Sequence, residues 1–261
     1  MNKKIWLSLF VCLLLLSCAS AQKKVEQSRK NSPEYQYNMG LFFLNEGKPD
    51  QAIPHLNRSI ALRSDNYLSH HALGLAYSMK GELEQASAQF QSALQLNPQS
   101  SETRNNLGMV YQEMGFFDKA EKEYNAAISD NSYTSRALPH YNLARLYVIQ
   151  DKLQEAVFHL ESALKLDPRF VMAHSLKGQI MDKMERYRDA VDCYRKAIDS
   201  LDSHFADDTD IQFKLATAYF HLKEYNQSRR IFEQIYNLVT DPDRKKEMDD
   251  MLAEMAKKRT A

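Results

Sequence analysis

The chain has 261 residues, of which 34 are basic and 34 acidic, so its formal net charge is zero. A balanced charge gives no electrostatic reason to expect binding to nucleic acid or to an anionic surface. The chain has three cysteines, Cys12, Cys18 and Cys193.

The N-terminus has the pattern of a secretory signal. Two lysines precede an apolar run over residues 5–16, which is too short to be a secure membrane span. The run ends in Leu-Leu-Ser followed by Cys18, which resembles the bacterial lipobox, in which a cysteine accepts lipid and becomes the first mature residue. We therefore expect a lipoprotein signal peptide over residues 1–17 and a lipidated tether over residues 18–32.

The residue after Cys18 bears on where a lipoprotein would be sorted. It is Ala19 and not an acidic residue, which favours the outer membrane under the enterobacterial rule. Because sorting differs among bacteria, the choice between inner and outer membrane stays open. The alternative is an ordinary secretory signal cut after Ala19 or Ala21, with Cys18 discarded. We expect anchorage by lipid at the periplasmic face of the outer membrane.

Six of the seven glycines recur at an interval of 34 residues. One series is Gly40, Gly74 and Gly108, and the other is Gly47, Gly81 and Gly115. A fixed period of this length marks a stacked repeat protein, whose units bury their apolar faces against neighbours. Each unit has two stretches with apolar residues three and four positions apart, which predicts two amphipathic helices. The second series lies between these helices, where a positive φ is often needed.

The recurring small, aromatic and proline positions resemble the tetratricopeptide repeat (TPR). In the second unit they are Leu73, Gly74, Tyr77, Gly81, Ala86, Phe90, Ala93 and Pro98. The resemblance implies an all-α fold: a right-handed TPR solenoid over residues 33–242, followed by a capping helix and tail over residues 243–261. The repeats are expected near residues 33–66, 67–100, 101–134, 137–170, 171–204 and 209–242.

Two junctions between repeats are longer than the period. The third junction has two extra residues around 132–137, and the fifth has four around 203–208. We expect loops at both places. The acidic stretch 207–210 suits the N-cap of the next helix, and it does not fit a calcium loop because EF-hand spacing is absent.

Residues 128–144, at the first lengthened junction, are similar to the corresponding junction of type IV pilus biogenesis lipoproteins, the pilotins. Those proteins have a lipobox, a similar number of TPRs and a comparable length, so the likeness covers nearly the whole chain. The resemblance implies that the chain aids localisation or multimerisation of the outer-membrane secretin, the ring through which the pilus fibre passes.

In TPR stacks the first helices of successive repeats line a concave groove. Position within each repeat assigns these candidates to it: Tyr37, Leu41, His71, Leu75, Asn105, Met109, Tyr141, Arg145, Ser175 and Phe213. The early ones are mostly apolar and the later ones more polar, which suits an extended or helical protein segment. The early residues do not fit the lysine, arginine and asparagine set of a carboxylate-binding clamp. For each apolar candidate, packing between helices without a ligand remains an alternative.

The sequence gives no sign of catalysis, a cofactor or a metal site. His70, His140 and His174 share one repeat position, but successive repeats lie about 10 Å apart, too far for ligands of one metal ion. No phosphate loop, nucleophile elbow or HExxH motif is present. After processing, Cys193 has no disulfide partner, and we expect it to be a packing residue and not a reactive thiol.

The sequence thus predicts a non-enzymatic lipoprotein that binds protein, does not bind nucleic acid, and contacts the membrane through its lipid. Two other interpretations stay open. The chain could be a general periplasmic scaffold for another envelope machine, or a structural subunit of an outer-membrane complex whose groove is permanently filled.

Overall fold

The computed structural model describes residues 29–201 and 208–259. The predicted signal peptide, Cys18 and most of the predicted tether lie outside these ranges, as does most of the second lengthened junction. Within the described residues the regular secondary structure is α-helix. The chain divides into two compact units, of which one ends at Asp130 and the other begins at Asn131.

The first unit contains three helix pairs. They are α1 (Pro33–Asn45) with α2 (Pro49–Leu62), α3 (Tyr67–Met79) with α4 (Leu83–Leu96), and α5 (Ser101–Glu113) with α6 (Phe117–Ser129). Ahead of α1, Arg29 and Lys30 are also helical. The first helix of each pair contacts the first helix of the next, since α1 contacts α3 and α3 contacts α5.

The second unit also contains three helix pairs, and a further helix follows them. They are α7 (Ala137–Ile149) with α8 (Leu153–Leu166), α9 (Val171–Lys183) with α10 (Tyr187–Asp199), α11 (Thr209–His221) with α12 (Tyr225–Ile235), and then α13 (Pro242–Arg259). The described residues thus confirm the all-α fold of six helix-turn-helix repeats with a C-terminal capping helix. Residues 131–136, which precede α7 and include most of the first lengthened junction, are not helical.

Each helix pair is closed by a small residue on the first helix that faces a large one on the second. The pairs are Gly40–Leu56, Gly74–Phe90, Gly108–Tyr124, Ala144–Leu160, Gly178–Tyr194 and Ala216–Phe232. Every large member is fully buried. A Cβ atom added to Gly178 would lie 2.5 Å from a ring carbon of Tyr194, so that pair of helices approaches closely only because the facing residue is small.

Two of the large residues are tyrosines, and their buried hydroxyl groups have hydrogen-bond partners. Tyr124 Oη donates to Gln112 Oε1 at 3.1 Å, and Tyr194 Oη donates to Asp182 Oδ2 at 2.6 Å. Burial raises the pKa of Asp182, although the hydrogen bond from Tyr194 opposes that shift. These bonds hold each ring in one orientation over the glycine it faces.

The turn between the two helices has the same backbone form in every repeat. The residue with positive φ is Gly47, Gly81, Gly115, Asp151, Glu185 or Lys223. In the first repeat the Gly47 amide donates to the Leu44 carbonyl at 2.9 Å and the Lys48 amide donates to the Phe43 carbonyl at 2.8 Å. This is the Schellman motif that ends many helices. The expected positive φ is confirmed at the glycines, and the structure adds three non-glycine residues in the same conformation.

Polar side chains cap several of the first helices. Ser32, Asn66, Ser100 and Asp208 each accept a hydrogen bond from an amide of the first turn. Asp208 Oδ1 accepts from the amides of Asp210 and Ile211 at 3.0 and 3.2 Å, which confirms the N-cap predicted in residues 207–210. These bonds satisfy amides that an isolated helix end would leave without partners.

Helix α13 covers the end of the second unit. Met248 and Met255 pack in a buried cluster with Phe232, Ile235 and Val239. Most other side chains of α13 are polar, so the helix presents a water-compatible face, as a terminal cap requires. None of the helices in the described part of the chain combines the length and apolar content needed to cross a bilayer.

Substitution of Gly178 by alanine tests the close approach of the two helices. The new Cβ would overlap the Tyr194 ring, which is fully buried and tied to Asp182. Overpacking of about 1–3 kcal/mol should outweigh the gain of roughly 0.5–1 kcal/mol from replacing a mid-helix glycine. We expect Gly178→Ala to lower the free energy of unfolding by about 1 kcal/mol in chemical denaturation.

The matched control is Gly40→Ala, where the new Cβ would lie 2.5 Å from both Cγ and Cδ2 of Leu56. A flexible leucine can move aside, as the natural pair Ala144–Leu160 indicates, so this variant should lose less stability than Gly178→Ala. Equal or higher stability of Gly178→Ala relative to the unmodified chain would contradict the proposed packing constraint.

Candidate protein-binding surface

The candidate residues all lie on first helices and therefore define one surface in each unit, which we call its first-helix surface. In the first unit its candidates come from α1, α3 and α5, and in the second unit from α7, α9 and α11. Two candidates on the same helix, such as Tyr37 and Leu41, are four positions apart and so lie on one helix face.

Apolar side chains dominate the first-helix surface of the first unit. Tyr37 and Leu41 are half-buried and pack against the buried cluster of the first two repeats, leaving part of each side chain open. Leu75 and Met109, at the ninth position of the next two first helices, are half-buried as well. Burial raises the pKa of Tyr37, and Tyr67 and Glu102 on the neighbouring first helices raise it further.

His71 and Asn105 are polar members of this surface, but both are largely buried. His71 Nδ1 lies 2.8 Å from Thr103 Oγ1, and His71 Nε2 lies 3.9 Å from Glu102 Oε1. Burial lowers the pKa of His71, although the charge of Glu102 opposes this effect. Most of the His71 ring therefore serves contact between α3 and α5, with little left for a ligand.

The structure adds two exposed apolar residues to this surface that the sequence reasoning missed. Leu68 is 40% exposed and Met79 is 51% exposed. Leu68 lies three positions before His71 and Met79 four positions after Leu75, which places both on the same face of α3. The spacing of three or four residues from the candidates could have predicted them, had it been extended to the second and thirteenth positions of the repeat.

In the second unit three candidates line one groove. Its volume is about 340 Å³, and its walls come from α7, α9 and the start of α11. Tyr141, Arg145 and Ser175 are the candidates that it brings together, although Ser175 is only 8% exposed. Met172, Leu176 and Gln179 also line the side formed by α9. The groove therefore combines apolar contact area with several hydrogen-bonding groups, which is typical of a ligand site.

Most charges at this groove are already engaged with one another. Asp210 accepts hydrogen bonds from Lys214 and from Arg244, the latter at 2.5 Å. Burial alone would raise the pKa of Asp210, but these two cations outweigh burial and hold it below its ordinary value. Asp208, which also lines the groove, caps α11.

Phe213 is placed differently from the other candidates. Its side chain is 8% exposed and belongs to the terminal cluster closed by α13. The ring centroid lies 5.7 Å from that of Phe232 and 5.5 Å from the guanidinium carbon of Arg244. The structure therefore assigns Phe213 to the core. Because so little of its side chain is exposed, the structure does not support its predicted contact with a ligand.

Each of the three histidines at the shared repeat position has a partner other than the other two. His70 Nδ1 pairs with Gln89 at 2.8 Å, His140 Nδ1 lies 3.0 Å from His159 Nδ1, and His174 Nε2 lies 2.9 Å from the carbonyl oxygen of Pro168. In the described ranges no group of three or more histidine, cysteine, aspartate or glutamate residues could hold a metal ion.

Cys193 is buried on α10, in the core cluster of the second unit. Burial raises the pKa of its thiol, which disfavours the reactive thiolate. These observations fit the packing role expected from the sequence.

Comparisons with protein families identify the repeat type. Models described as a tetratricopeptide repeat match residues 33–66 and 99–169, and one described as a TPR repeat matches residues 79–115. The repeats are tetratricopeptide repeats. The model of the C-terminal ARM domain of tetratricopeptide repeat protein 21 also matches, over residues 140–255. No curated protein sequence matches the chain.

Solved structures share this TPR fold over most of the chain. PilF of Pseudomonas aeruginosa matches with a TM-score of 0.73 and 17% identity, over 85% of this chain and 99% of PilF. PilW, described as a widely conserved type IV pilus biogenesis factor, matches with a TM-score of 0.72 and 15% identity, over 82% of this chain and 97% of PilW. YrrB, described as a TPR protein with an unusual peptide-binding site, has a TM-score of 0.57 and 14% identity, over 75% of this chain and 97% of YrrB. The expected likeness to pilus biogenesis proteins is confirmed in the fold.

The His140–His159 pair generates a prediction on pH dependence. Burial, His159 and Arg136 lower the pKa of His140 to about 4 from its ordinary value of 6.5. Because the folded chain binds fewer protons than the unfolded chain, stability from the pair is complete above pH 6.5 and is lost as the pH falls toward 4. We expect the free energy of unfolding, measured by urea titration at successive pH values, to fall through this window.

In His140→Gln the free energy of unfolding should fall less over this pH range. The substitution recreates the pairing of the first repeat, where Gln36 Oε1 lies 2.7 Å from His55 Nδ1. Removal of the exposed His221 by His221→Gln is the control for loss of a histidine in the same unit. An unchanged pH profile in His140→Gln would contradict the assignment to this pair.

Proposed function

We propose that the chain is a non-enzymatic, protein-binding lipoprotein of the bacterial envelope that assists type IV pilus assembly. Its partner is the outer-membrane secretin, whose localisation or multimerisation it aids. The binding surface is formed by the first helices of its repeats, and the membrane is contacted through a lipid on Cys18.

The single observation that carries the proposal is the extent of the match to PilF. The alignment spans 99% of PilF and 85% of this chain, so the two proteins agree in the length of their repeat array as well as in repeat type. PilW agrees to a similar extent, and its description is that of a type IV pilus biogenesis factor. The lipobox and the junction at residues 128–144 point to the same family independently of the fold.

The exposed residues of the first helices support protein binding. Leu68, Met79 and Met172 expose apolar surface on a helix face that the core does not cover. Apolar anchors beside exposed polar groups such as Arg145 and Gln179 suit an extended or helical protein segment. The description of YrrB, which has the same fold, includes a peptide-binding site.

The proposed anchor places this surface in the periplasm. With lipid on Cys18, residues 18–32 would tether the repeats to the periplasmic face of the outer membrane. Several acyl chains hold a protein far more firmly than one chain does. A tethered chain would meet secretin subunits at the membrane where they assemble.

A general periplasmic scaffold is the alternative function, and the match to YrrB supports this alternative. That match covers 97% of YrrB, whose description names no pilus role, so the fold itself does not select a pilus partner. Neighbouring pilus genes would favour the secretin role, whereas neighbouring cell-wall genes would favour the scaffold.

The state of the secretin tests the proposal. Unboiled outer-membrane extracts from a piliated host are compared by gel, with the secretin detected in strains with and without this gene. We expect deletion to remove the heat-resistant multimer and leave monomer. Cys18→Ser should give the same loss, because the repeats would no longer be held at the membrane.

Two matched variants assign the effect to the first-helix surface. Leu75→Glu places a charge on that surface in the first unit, whereas Phe158→Glu alters a side chain of the second helix α8 that is 64% exposed. We expect the first to abolish multimers and the second to preserve them, with both proteins present in equal amounts. Unchanged multimers in the deletion strain would reject the secretin role.

A further inference from the structure

Arg145 holds the unengaged positive charge of the groove in the second unit. Its side chain is exposed on α7 and lines the groove. The guanidinium carbon lies 5.9 Å from the ring centroid of Tyr141, four positions earlier on the same helix. No carboxylate of the described residues forms an ion pair with it. An arginine supported by an aromatic ring and free of a carboxylate is suited to bind one from outside.

The other cations near the groove differ from Arg145 in this respect. Lys214 and Arg244 both donate to Asp210, and the carboxylate of Asp208 accepts the first amides of α11. Their charges therefore have partners within the unit. A ligand that enters the groove gains most from Arg145, because binding to that group breaks no existing ion pair.

Apolar surface lies beside this cation. Met172, at the start of α9, lines the same groove and is 52% exposed. Leu138 lies seven positions before Arg145 on the same face of α7, outside the residues that line the groove, and is 40% exposed. Gln179, one turn after Ser175 on α9, lines the same groove and has an exposed amide, whereas Ser175 is only 8% exposed and its hydroxyl lies 3.5 Å from Gln179 Nε2. Such an amide can pair with the backbone of an extended segment.

We propose that the groove of the second unit binds a protein segment in which an acidic side chain, engaged by Arg145, lies next to apolar side chains that cover Met172 and Leu138. This inference rests on the proposed protein-binding role and names the chemistry of the partner. Arg145 selects the segment by charge, and the apolar residues contribute contact area. At the position of the segment that contacts Arg145, aspartate or glutamate is preferred over lysine.

Selection from a phage library of random dodecapeptides on the purified full chain tests this assignment. We expect enriched peptides to carry aspartate or glutamate within a few residues of leucine, isoleucine, methionine or phenylalanine. A labelled peptide from this set should bind about tenfold more weakly to Arg145→Gln, and its affinity should fall as salt is raised. The same peptide with glutamine in place of its acidic residue should lose affinity for the unmodified chain to a similar degree.

Charge reversal separates recognition from a structural effect. Arg145→Glu should prefer a version of the labelled peptide in which lysine replaces the acidic residue. Damage to the fold would not produce this change of preference. Arg195→Gln, at an exposed arginine of α10 outside the groove, is the control and should bind as the unmodified chain does. Enrichment without acidic residues, or equal binding by Arg145→Gln, would overturn the inference and leave the protein-binding role intact.

Three further outcomes have distinct meanings. If no peptide binds while the chain still supports secretin multimers, the groove is not a peptide site and the inference fails alone. If the chain self-associates in sedimentation experiments and Arg145→Gln does not, the occupant is a second copy of the chain and the proposed partner is wrong. If deletion of the gene also leaves secretin multimers unchanged, the proposed pilus role fails independently.

Discussion

The close contact between a small residue on the first helix of a repeat and a large one on the second determines how each repeat packs. Gly74 and Phe90, or Gly178 and Tyr194, leave no room for an additional methyl group unless the ring moves. This contact fixes the distance between the helices, and the turn with one residue at positive φ fixes how the chain returns. Because both features recur with the repeat, one short sequence pattern is enough to specify a whole array of helix pairs.

The same packing leaves one face of each first helix outside the core, where its side chains can contact a partner. The core takes the glycine side of α3, whereas Leu68 and Met79 remain exposed on another face, on which Leu75 is half-buried. In the second unit the equivalent face forms a groove with apolar, hydrogen-bonding and positively charged groups. At its end, Phe213 is covered because α13 packs there, so the capping helix limits the surface that a partner could reach. Function in this account depends on the side chains that face away from the core.

Much of the fold could be predicted from the sequence, because the period, the glycine pairs and the helix caps are local signals. Glu185 and Lys223 show the limit: each adopts a positive φ in a turn with the same two hydrogen bonds as the glycine turns, although neither residue type favours that conformation. The sequence placed Tyr141, Arg145 and Ser175 on one surface, and the structure brings them into one groove. The sequence could not show that His71 and Asn105 are buried or that Phe213 joins the terminal core, because the burial of these residues depends on packing between repeats.

Site-specific photo-crosslinking in a piliated host tests the central claim, which is that the first-helix faces bind protein. A photoreactive phenylalanine derivative at Leu75 or Met172 would report on these faces in the two units, and one at the exposed Phe158 of α8 would report on a second helix. The account predicts crosslinks to the secretin from Leu75 or Met172 and none from Phe158. Crosslinks from Phe158 alone, or from none of the three positions, would contradict it.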